Sequence, residues 1–269
     1  MNEALLISIF IYFLALLLSF SSFYTQKIGL EIGANFTLQG AIVVHALSIG
    51  WLLGSVSTLP LFHPTTSLSL VLMLVMIGFL ACQASFSLRY VMGFFLFMPL
   101  LALGSYTFLM PSMELSEVLS LAPRTGLMGI THGLLSLGAL SVLTLSFVSS
   151  ILYLLMEYRL ENKRFDFIFH RLPALNPLEL MGYRTTLLGF FFLTLTILSG
   201  AVGHHHRGTM FLKLGGQEWI MILIWFIYLL YFQVRYESGM VGGRLAWIAI
   251  LAYLLQCFAI FFFIGGHPV

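Results

Sequence analysis

Long apolar runs, separated by short polar or glycine- and proline-containing breaks, repeat along almost the whole chain. A helix needs about 20 mostly apolar residues to cross the hydrocarbon core of a bilayer. Eight runs approach that length, at residues 4–22, 38–58, 67–84, 90–109, 132–157, 185–202, 218–234 and 245–264. The pattern therefore predicts an all-α, polytopic integral membrane helix bundle with about eight transmembrane helices, in which residues 1–269 form a single transmembrane domain.

The composition supports a membrane protein. Hydrophobic residues make up 60% of the chain and charged residues only 8%, whereas soluble domains carry about 25% charged residues. The first 20 residues lack a basic segment, so they are predicted to form a spanning helix and not a cleavable signal peptide. Cys82 and Cys257 each lie within an apolar run, so neither a disulfide framework nor a cysteine-based metal site is expected.

The basic residues indicate the orientation of the bundle. With eight spans, nine Lys and Arg residues fall on the side away from the termini, and three, Arg124, Arg207 and Lys213, fall on the side of the termini. Because loops rich in Lys and Arg remain cytoplasmic, both termini are predicted to lie outside. The longest inner loop, about residues 158–184, has room for a short helix.

Histidines concentrate on the predicted outer face. His132 opens the fifth span and His267 closes the chain, so they lie at the outer ends of different helices. Each alone is typical of an interfacial polar residue, but together they could clamp one planar cofactor from opposite faces. His45 lies inside the second span, where an ionisable group suggests a functional site, although a hydrogen-bonded packing histidine fits equally well. Neutral imidazole is the commonest metal-ligating side chain.

A histidine triplet, His204, His205 and His206, lies between two apolar runs. Side chains alternate in direction along an extended loop, so three adjacent histidines there cannot all reach one ion. No Cys, Asp or Glu lies near the triplet to complete a zinc site. The triplet is therefore either a solvated polar loop that binds metal adventitiously or a peripheral contributor to a site formed elsewhere.

No motif for bond-making chemistry is present. The chain has no GxSxG, no P-loop and no HExxH, and no acidic residue falls at the middle of a predicted span. An enzyme is therefore not favoured. A transition-metal permease that uses the triplet as an entry site is also disfavoured, because His45 is nearly the only polar group at mid-membrane depth.

Three stretches together resemble the CcsA/CcmC superfamily of cytochrome c assembly proteins, which handle haem. The C-terminal stretch carries an SGA at a helix end, the run IWFIYLLYFQVR, a G-x-x-G-x-R turn and a closing G-x-H-x. The other two are THGLLSLGALSVLTLSFVSSILYL at 131–154 and VVHALSIGWLLGS at 43–55. The resemblance covers roughly residues 40–269 and rests on order and spacing.

The resemblance implies a haem site. In that family two outer histidines bind haem iron, and they correspond here to His132 and His267. Haem b, held non-covalently, is the implied cofactor, with Arg124 and Arg207 (or Lys213) to neutralise its propionates and His45 as a second ligand or a waystation. The histidine triplet would contribute only peripherally. Bis-imidazole ligation suits the holding of haem and not oxygen chemistry.

The chain departs from the family at two places. The family's tryptophan-rich outer loop corresponds to residues 208–218, where only Glu218 is retained, and Gln233 replaces a histidine of the penultimate span. These differences make the chain more similar to the stand-alone HemX and YpjD-type branch.

Two functions follow as hypotheses. The first is a haem-binding, multi-pass protein of the bacterial inner membrane, active in cytochrome c biogenesis or haem trafficking. The second is a non-catalytic scaffold or regulator that acts through loop 158–184 on a partner such as a tetrapyrrole-synthesis enzyme. The expected partners are haem, the lipid bilayer and a cytochrome c assembly or haem-pathway protein, with no nucleic acid.

Overall fold

Helices account for nearly all of the described chain. The computed structural model describes residues 3–55, 64–86, 88–109, 127–206, 216–238 and 242–265. Within these ranges there are eight helices: α1 (Glu3–Thr25), α2 (Ile28–Ser55), α3 (Pro64–Phe86), α4 (Met92–Leu109), α5 (Leu127–Glu161), α6 (Leu175–His206), α7 (Gly216–Ser238) and α8 (Gly243–Gly265). Seven are long and apolar enough to cross a membrane, and α4 contains a shorter apolar stretch, Met92–Gly104. The predicted polytopic helical membrane bundle is confirmed.

The surfaces of these helices are suited to lipid. Phe10, Phe36 and Leu47 are each about 70% exposed (68%, 70% and 69%), and soluble proteins seldom leave so much apolar surface in water. Exposed Trp and Tyr side chains lie close to helix ends, as in the aromatic belts of membrane proteins. They are Tyr24, Trp51, Tyr158, Trp219, Tyr236 and Trp247.

The second helix is longer than the sequence predicted. The second span was predicted at 38–58 after a break over 23–37, but α2 already begins at Ile28. Only Gln26 and Lys27 separate it from α1, and Gln26 adopts a left-handed conformation (φ 54°) typical of a helix C-terminus. The polar residues between 28 and 37 lower the hydropathy of this stretch without ending the helix, because none of them is a proline.

The fifth and sixth helices also extend beyond the predicted spans. The prediction began span five at 132 and span six at 185, whereas α5 begins at Leu127 and α6 at Leu175. The predicted inner loop over 158–184 therefore shrinks to residues 162–174, because α5 continues to Glu161. Hydropathy marks where a helix enters the apolar layer and not where its hydrogen bonds end.

The described helices form two compact units. The first contains α1 to α4 together with residues 166–173, and the second contains α5 to α8. In the first unit α1 packs against α2 and α4, and α3 packs against α4. Aromatic rings fill these contacts: Phe79 and Phe95 lie with their centroids 4.9 Å apart, and Phe23 meets Phe94 edge to face at 5.4 Å.

One arginine attaches residues 166–173 to the first unit. Arg171 donates a hydrogen bond of 2.6 Å from Nη2 to the backbone carbonyl of Tyr24. Tyr24 lies in the last turn of α1, where carbonyls have no partner within the helix. The same guanidinium lies over the ring of Phe167, 3.1 Å from its centroid. Arg171 therefore caps α1 from a segment that follows α5 in sequence.

Small and hydroxyl-bearing residues bring α5 and α6 together in the second unit. Ser146 Oγ lies 2.5 Å from Thr186 Oγ1. A Cβ added to Gly189 would lie 2.5 Å from Leu143 Cδ2, so the leucine side chain occupies the space beside this glycine. Close backbone approach at small residues, with hydroxyls bonding across, is the usual way that membrane helices associate.

At the opposite end of this unit from the start of α5, a carboxylate meets the beginning of α8. Glu157 Oε1 accepts hydrogen bonds from the Gly243 backbone N–H at 3.2 Å and from the Tyr153 hydroxyl at 3.4 Å. Gly242 has a φ of +97°, and a Cβ there would lie 2.7 Å from the Tyr153 hydroxyl. A Cβ on Gly243 would overlap the Glu157 carboxylate. The adjacent glycines thus let a carboxylate reach unpaired N–H groups and the positive end of the helix dipole.

An ion pair lies beside this contact. Arg235 Nη1 on α7 is 3.0 Å from Glu179 Oε1 on α6, and its guanidinium lies 4.2 Å from the centroid of the Tyr183 ring. Together with Tyr153 and Gly242 these residues line a small cavity of about 20 Å³, enough for about one water molecule. At this end of the unit, polar contacts therefore join α5 to α8 and α6 to α7.

Replacing Gly243 by alanine tests the contact between Glu157 and α8. The added methyl group displaces the carboxylate, so we expect a loss of roughly 1 kcal/mol in stability, the usual cost of a lost helix N-cap. Thermal unfolding of the purified protein in detergent measures it. Gly133→Ala is the matched control, because a Cβ there meets nothing within 4 Å. An equal effect of the two variants would contradict the assignment.

Candidate functional site

His132 is the predicted ligand whose surroundings are best defined. It lies five residues after the start of α5, and not at the helix start as the sequence predicted, and its side chain is partly buried. The ring faces α6. Its position on the helix therefore allows the neighbouring helix to fix the imidazole.

The imidazole of His132 is held through Nδ1. This nitrogen lies 3.0 Å from the backbone carbonyl oxygen of Thr196 and 3.1 Å from Ser199 Oγ. The Ser199 hydroxyl itself donates to the same carbonyl at 2.9 Å. Because a carbonyl oxygen only accepts hydrogen bonds, the proton of the neutral ring resides on Nδ1. Nε2 then carries the lone pair with which an imidazole binds a metal.

The ring also packs directly on the backbone of α6. A Cβ added to Gly200 would lie 3.2 Å from His132 Cε1, which is tighter than ordinary van der Waals contact, and 3.5 Å from Nδ1. Ser199, Gly200 and Ala201 form the SGA stretch near the end of this helix. The absence of a side chain at Gly200 therefore allows the imidazole to pack against the backbone of α6.

The register of α5 and α8 shows what lies level with His132. Glu157 meets Gly243 and, farther along, Thr144 Oγ1 lies 2.8 Å from the Tyr253 hydroxyl, so the two helices are antiparallel. His132 precedes Thr144 by twelve residues and Gly265 follows Tyr253 by twelve. At 1.5 Å per residue both lie about 18 Å beyond that contact. The end of α8 is therefore level with the imidazole.

His45 occupies a different environment, in the first unit. Its side chain is fully buried, and Nδ1 lies 3.4 Å from the hydroxyl of Tyr12. The two rings meet edge to face with centroids 5.7 Å apart. Among the residues that the structure describes, Nε2 of His45 has no hydrogen-bond partner. A buried polar atom without a partner costs about 1–3 kcal/mol, so the fold keeps this nitrogen available at a cost.

The histidine triplet differs from its prediction. It was expected in an extended loop, but α6 continues through His206, so the backbone of His204, His205 and His206 is helical. Apolarity ends near residue 202, but the helix passes through Gly203 into the triplet, where no proline ends it. Within the part of the chain whose side chains are described, no three His, Cys, Asp or Glu residues are placed to share a metal ion.

Several predicted site residues lie outside the described residues. They are His267, Arg124, Arg207 and Lys213, and also His63. Of the residues that the resemblance marked, the structure brings His132 together with the SGA stretch. His45 belongs to the first unit. Gln233 on α7 donates from Nε2 to Glu237 Oε1 at 3.2 Å.

The sequence alone did not identify Thr196, Ser199 and Gly200 as part of the site. The sequence predicted only that the SGA stretch lies at a helix end, because it does not show which residues of α6 face α5. The helical register offered a signal, because Ser199 and Thr196 lie three residues apart and therefore on one face.

Comparisons with known proteins agree on one family. A family model described as cytochrome C assembly protein matches residues 61–264. The cytochrome c biogenesis protein CcsA of Welwitschia mirabilis is 31% identical over 106 residues, 37% of this chain and 35% of that protein. The protein HemX of Brevibacillus brevis is 32% identical over 127 residues, 47% of this chain and 46% of that protein.

The CcsA of Manihot esculenta is 31% identical over 87 residues, which are 32% of this chain and 27% of that protein. The chain thus spans less than half the length of these curated relatives. No solved structure matches the chain.

The contact between Tyr12 and His45 can be tested by stability. Tyr12→Phe leaves both imidazole nitrogens without a partner, so we expect a loss of roughly 1 kcal/mol. Combining it with His45→Leu makes the site apolar on both sides, and the double variant should be at least as stable as the wild type. Thermal unfolding in detergent measures both. A double variant less stable than Tyr12→Phe alone would refute this account of His45.

Proposed function

The chain belongs to the cytochrome c assembly protein family, and on that premise we propose that it is a haem-binding protein of cytochrome c biogenesis or haem trafficking. In this proposal it resides in the bacterial inner membrane. It would hold haem b non-covalently near the outer face, with His132 and His267 as the residues that would bind the iron.

The state of the His132 imidazole carries the proposal. Its Nδ1 lies 3.0 Å from the Thr196 carbonyl, so the proton of the neutral ring belongs on Nδ1 and the ring's lone pair on Nε2, the atom that would bind iron. Histidines that bind metals usually donate their other ring N–H to a carbonyl or a carboxylate, which fixes the ring and raises its basicity. The donor set present on α5 and α6 therefore fits an axial haem ligand.

The position of α8 supports His267 as the second ligand. The helix ends at Gly265, level with His132 along the antiparallel pair, and His267 follows two residues later. Two imidazoles from different helices could bind the iron of one porphyrin ring. Such a pair favours a six-coordinate iron, which holds haem without activating oxygen.

The remaining predicted residues have supporting roles in this proposal. Arg124 and Arg207 belong to segments that the sequence predicts on the outer side, where guanidinium groups would pair with the haem propionates. His45 would serve as a separate ligand or waystation within the membrane. In its favour, Nε2 is buried and has no partner among the described residues.

The test is the absorption spectrum of the protein. Purified without added haem, or reconstituted with it, the wild type should show the Soret band and the reduced α and β bands of low-spin haem. His132→Ala and His267→Ala should each remove the low-spin bands, because each deletes an axial ligand. His132→Gly should regain them when imidazole is added, since the space left accepts the free ligand.

His170→Ala is the matched control for these variants. His170 is an exposed histidine between α5 and α6, and its loss should leave the spectrum unchanged. A wild type that shows no low-spin spectrum after reconstitution would end the haem proposal. So would His132 and His267 variants that insert normally and keep the bands.

A regulator or scaffold is the second candidate function. It is favoured by the short segment between α5 and α6, where Phe165 is 57% exposed beside the basic residues Lys163 and Arg164. Aromatic and arginine side chains are enriched at protein interfaces. The partner would be a cytochrome c assembly protein or an enzyme of the haem pathway.

Substitution separates the two functions better than removal of the predicted loop 158–184. Removal would also delete helical turns and the cap of α1 by Arg171. The variant Phe165→Ser with Arg164→Ala changes only exposed side chains. The regulator function predicts loss of complementation in a deletion strain with the haem spectrum intact. Full complementation by this variant, with loss in His132→Ala, would exclude it.

A further inference from the structure

We propose that the Thr196–Gly200 turn of α6 is a positioning element for His132, which selects the ring's tautomer and rotation and so sets the strength of Nε2 as a ligand. The part that concerns iron rests on the proposed function. The part that concerns the tautomer depends only on the contacts between α5 and α6.

The hydrogen bonds around Nδ1 allow one arrangement of protons. The Ser199 hydroxyl gives its proton to the Thr196 carbonyl at 2.9 Å, so its oxygen presents a lone pair to Nδ1 at 3.1 Å. The carbonyl also only accepts, at 3.0 Å from Nδ1. Both neighbours therefore require a proton on Nδ1, and this proton is shared between them. In the tautomer with its proton on Nε2, the Nδ1 lone pair would face a lone pair of the Thr196 carbonyl at 3.0 Å, whichever way the Ser199 hydroxyl turned.

Gly200 determines how closely the ring approaches these acceptors. Because a Cβ at this position would lie 3.2 Å from Cε1, any side chain would push the ring outward by a few tenths of an ångström. The hydrogen bonds from Nδ1 would lengthen with that movement. Gly133, the neighbour of His132 on its own helix, has nothing within 4 Å of such a Cβ and carries no comparable constraint.

The consequence for a bound iron follows from the proton on Nδ1. A carbonyl and a hydroxyl that accept from Nδ1–H increase the electron density that Nε2 donates, and they restrict rotation of the ring. Loss of such a partner at metal-ligating histidines typically lowers affinity by roughly 10- to 100-fold. Ser199 and Gly200 are thus positioning residues, which act through His132 and do not touch the haem.

The first experiment reads the tautomer without haem. In protein labelled with ¹⁵N-histidine, the signal lost in His132→Ala identifies this ring. We expect the shifts of a protonated Nδ1 and an unprotonated Nε2. Gly200→Ala should move them toward a mixture of tautomers, while Gly133→Ala should not. A wild-type ring protonated on Nε2 would overturn the inference, whatever the outcome for haem binding.

The second experiment reads the ligand strength. Ser199→Ala and Gly200→Ala should weaken haem affinity by roughly tenfold, and should move the midpoint potential to more positive values because Nε2 donates less. Ser199→Thr keeps a hydroxyl and should restore both. Ser141→Ala removes a hydroxyl that donates within α5, to the Leu137 carbonyl, and should change neither.

The outcomes separate this inference from the proposed function. If the wild type binds no haem, the proposed function is wrong, and the ¹⁵N shifts of His132 still test whether α6 selects the tautomer. If the wild type binds haem and Ser199→Ala and Gly200→Ala keep its affinity and potential, the positioning role is wrong while the function stands. A loss of thermal stability alone in these variants would likewise overturn the positioning role.

Discussion

Helices in a bilayer gain little from apolar contact alone, because lipid tails are as apolar as leucine. The contact between α5 and α6 depends instead on close approach at small residues and on a hydroxyl pair, Ser146 with Thr186. His132 lies fourteen residues before Ser146, and Gly200 lies fourteen after Thr186. The central contact therefore fixes the register that brings the imidazole onto the backbone of α6.

The two ends of the α5–α6 pair carry different kinds of polar group. At one end two carboxylates, Glu157 and Glu179, are used for structure, the first at the start of α8 and the second with Arg235. At the other end the imidazole of His132 meets a carbonyl and a hydroxyl. The 25 residues from His132 to Glu157 span about 37 Å of helix. The proton of this histidine is therefore governed by neutral acceptors on α6.

The sequence predicted the fold class well because the length of the apolar runs decides whether a helix can cross a membrane. Apolar length identified each of the eight helices in the described ranges, although α2 began ten residues earlier than expected and α6 continued through the histidine triplet. Helix ends are decided by backbone hydrogen bonds and breakers, to which hydropathy is insensitive. Similarly, His132 was selected from its type and position, but its partners Thr196 and Ser199 depend on helix register, which only packing determines.

Arg171 has a consequence for the order in which the protein assembles. The last turn of α1 is capped by a residue that the ribosome produces only after α5 is complete. Helices α1 to α4 therefore emerge first but form an unfinished unit, with the carbonyl of Tyr24 still lacking the arginine. The first unit is complete only after α5 and residues 166–173 have been synthesised and Arg171 has capped α1. The first unit is consequently still incomplete when synthesis of the second begins, since its last segment follows α5 in the chain.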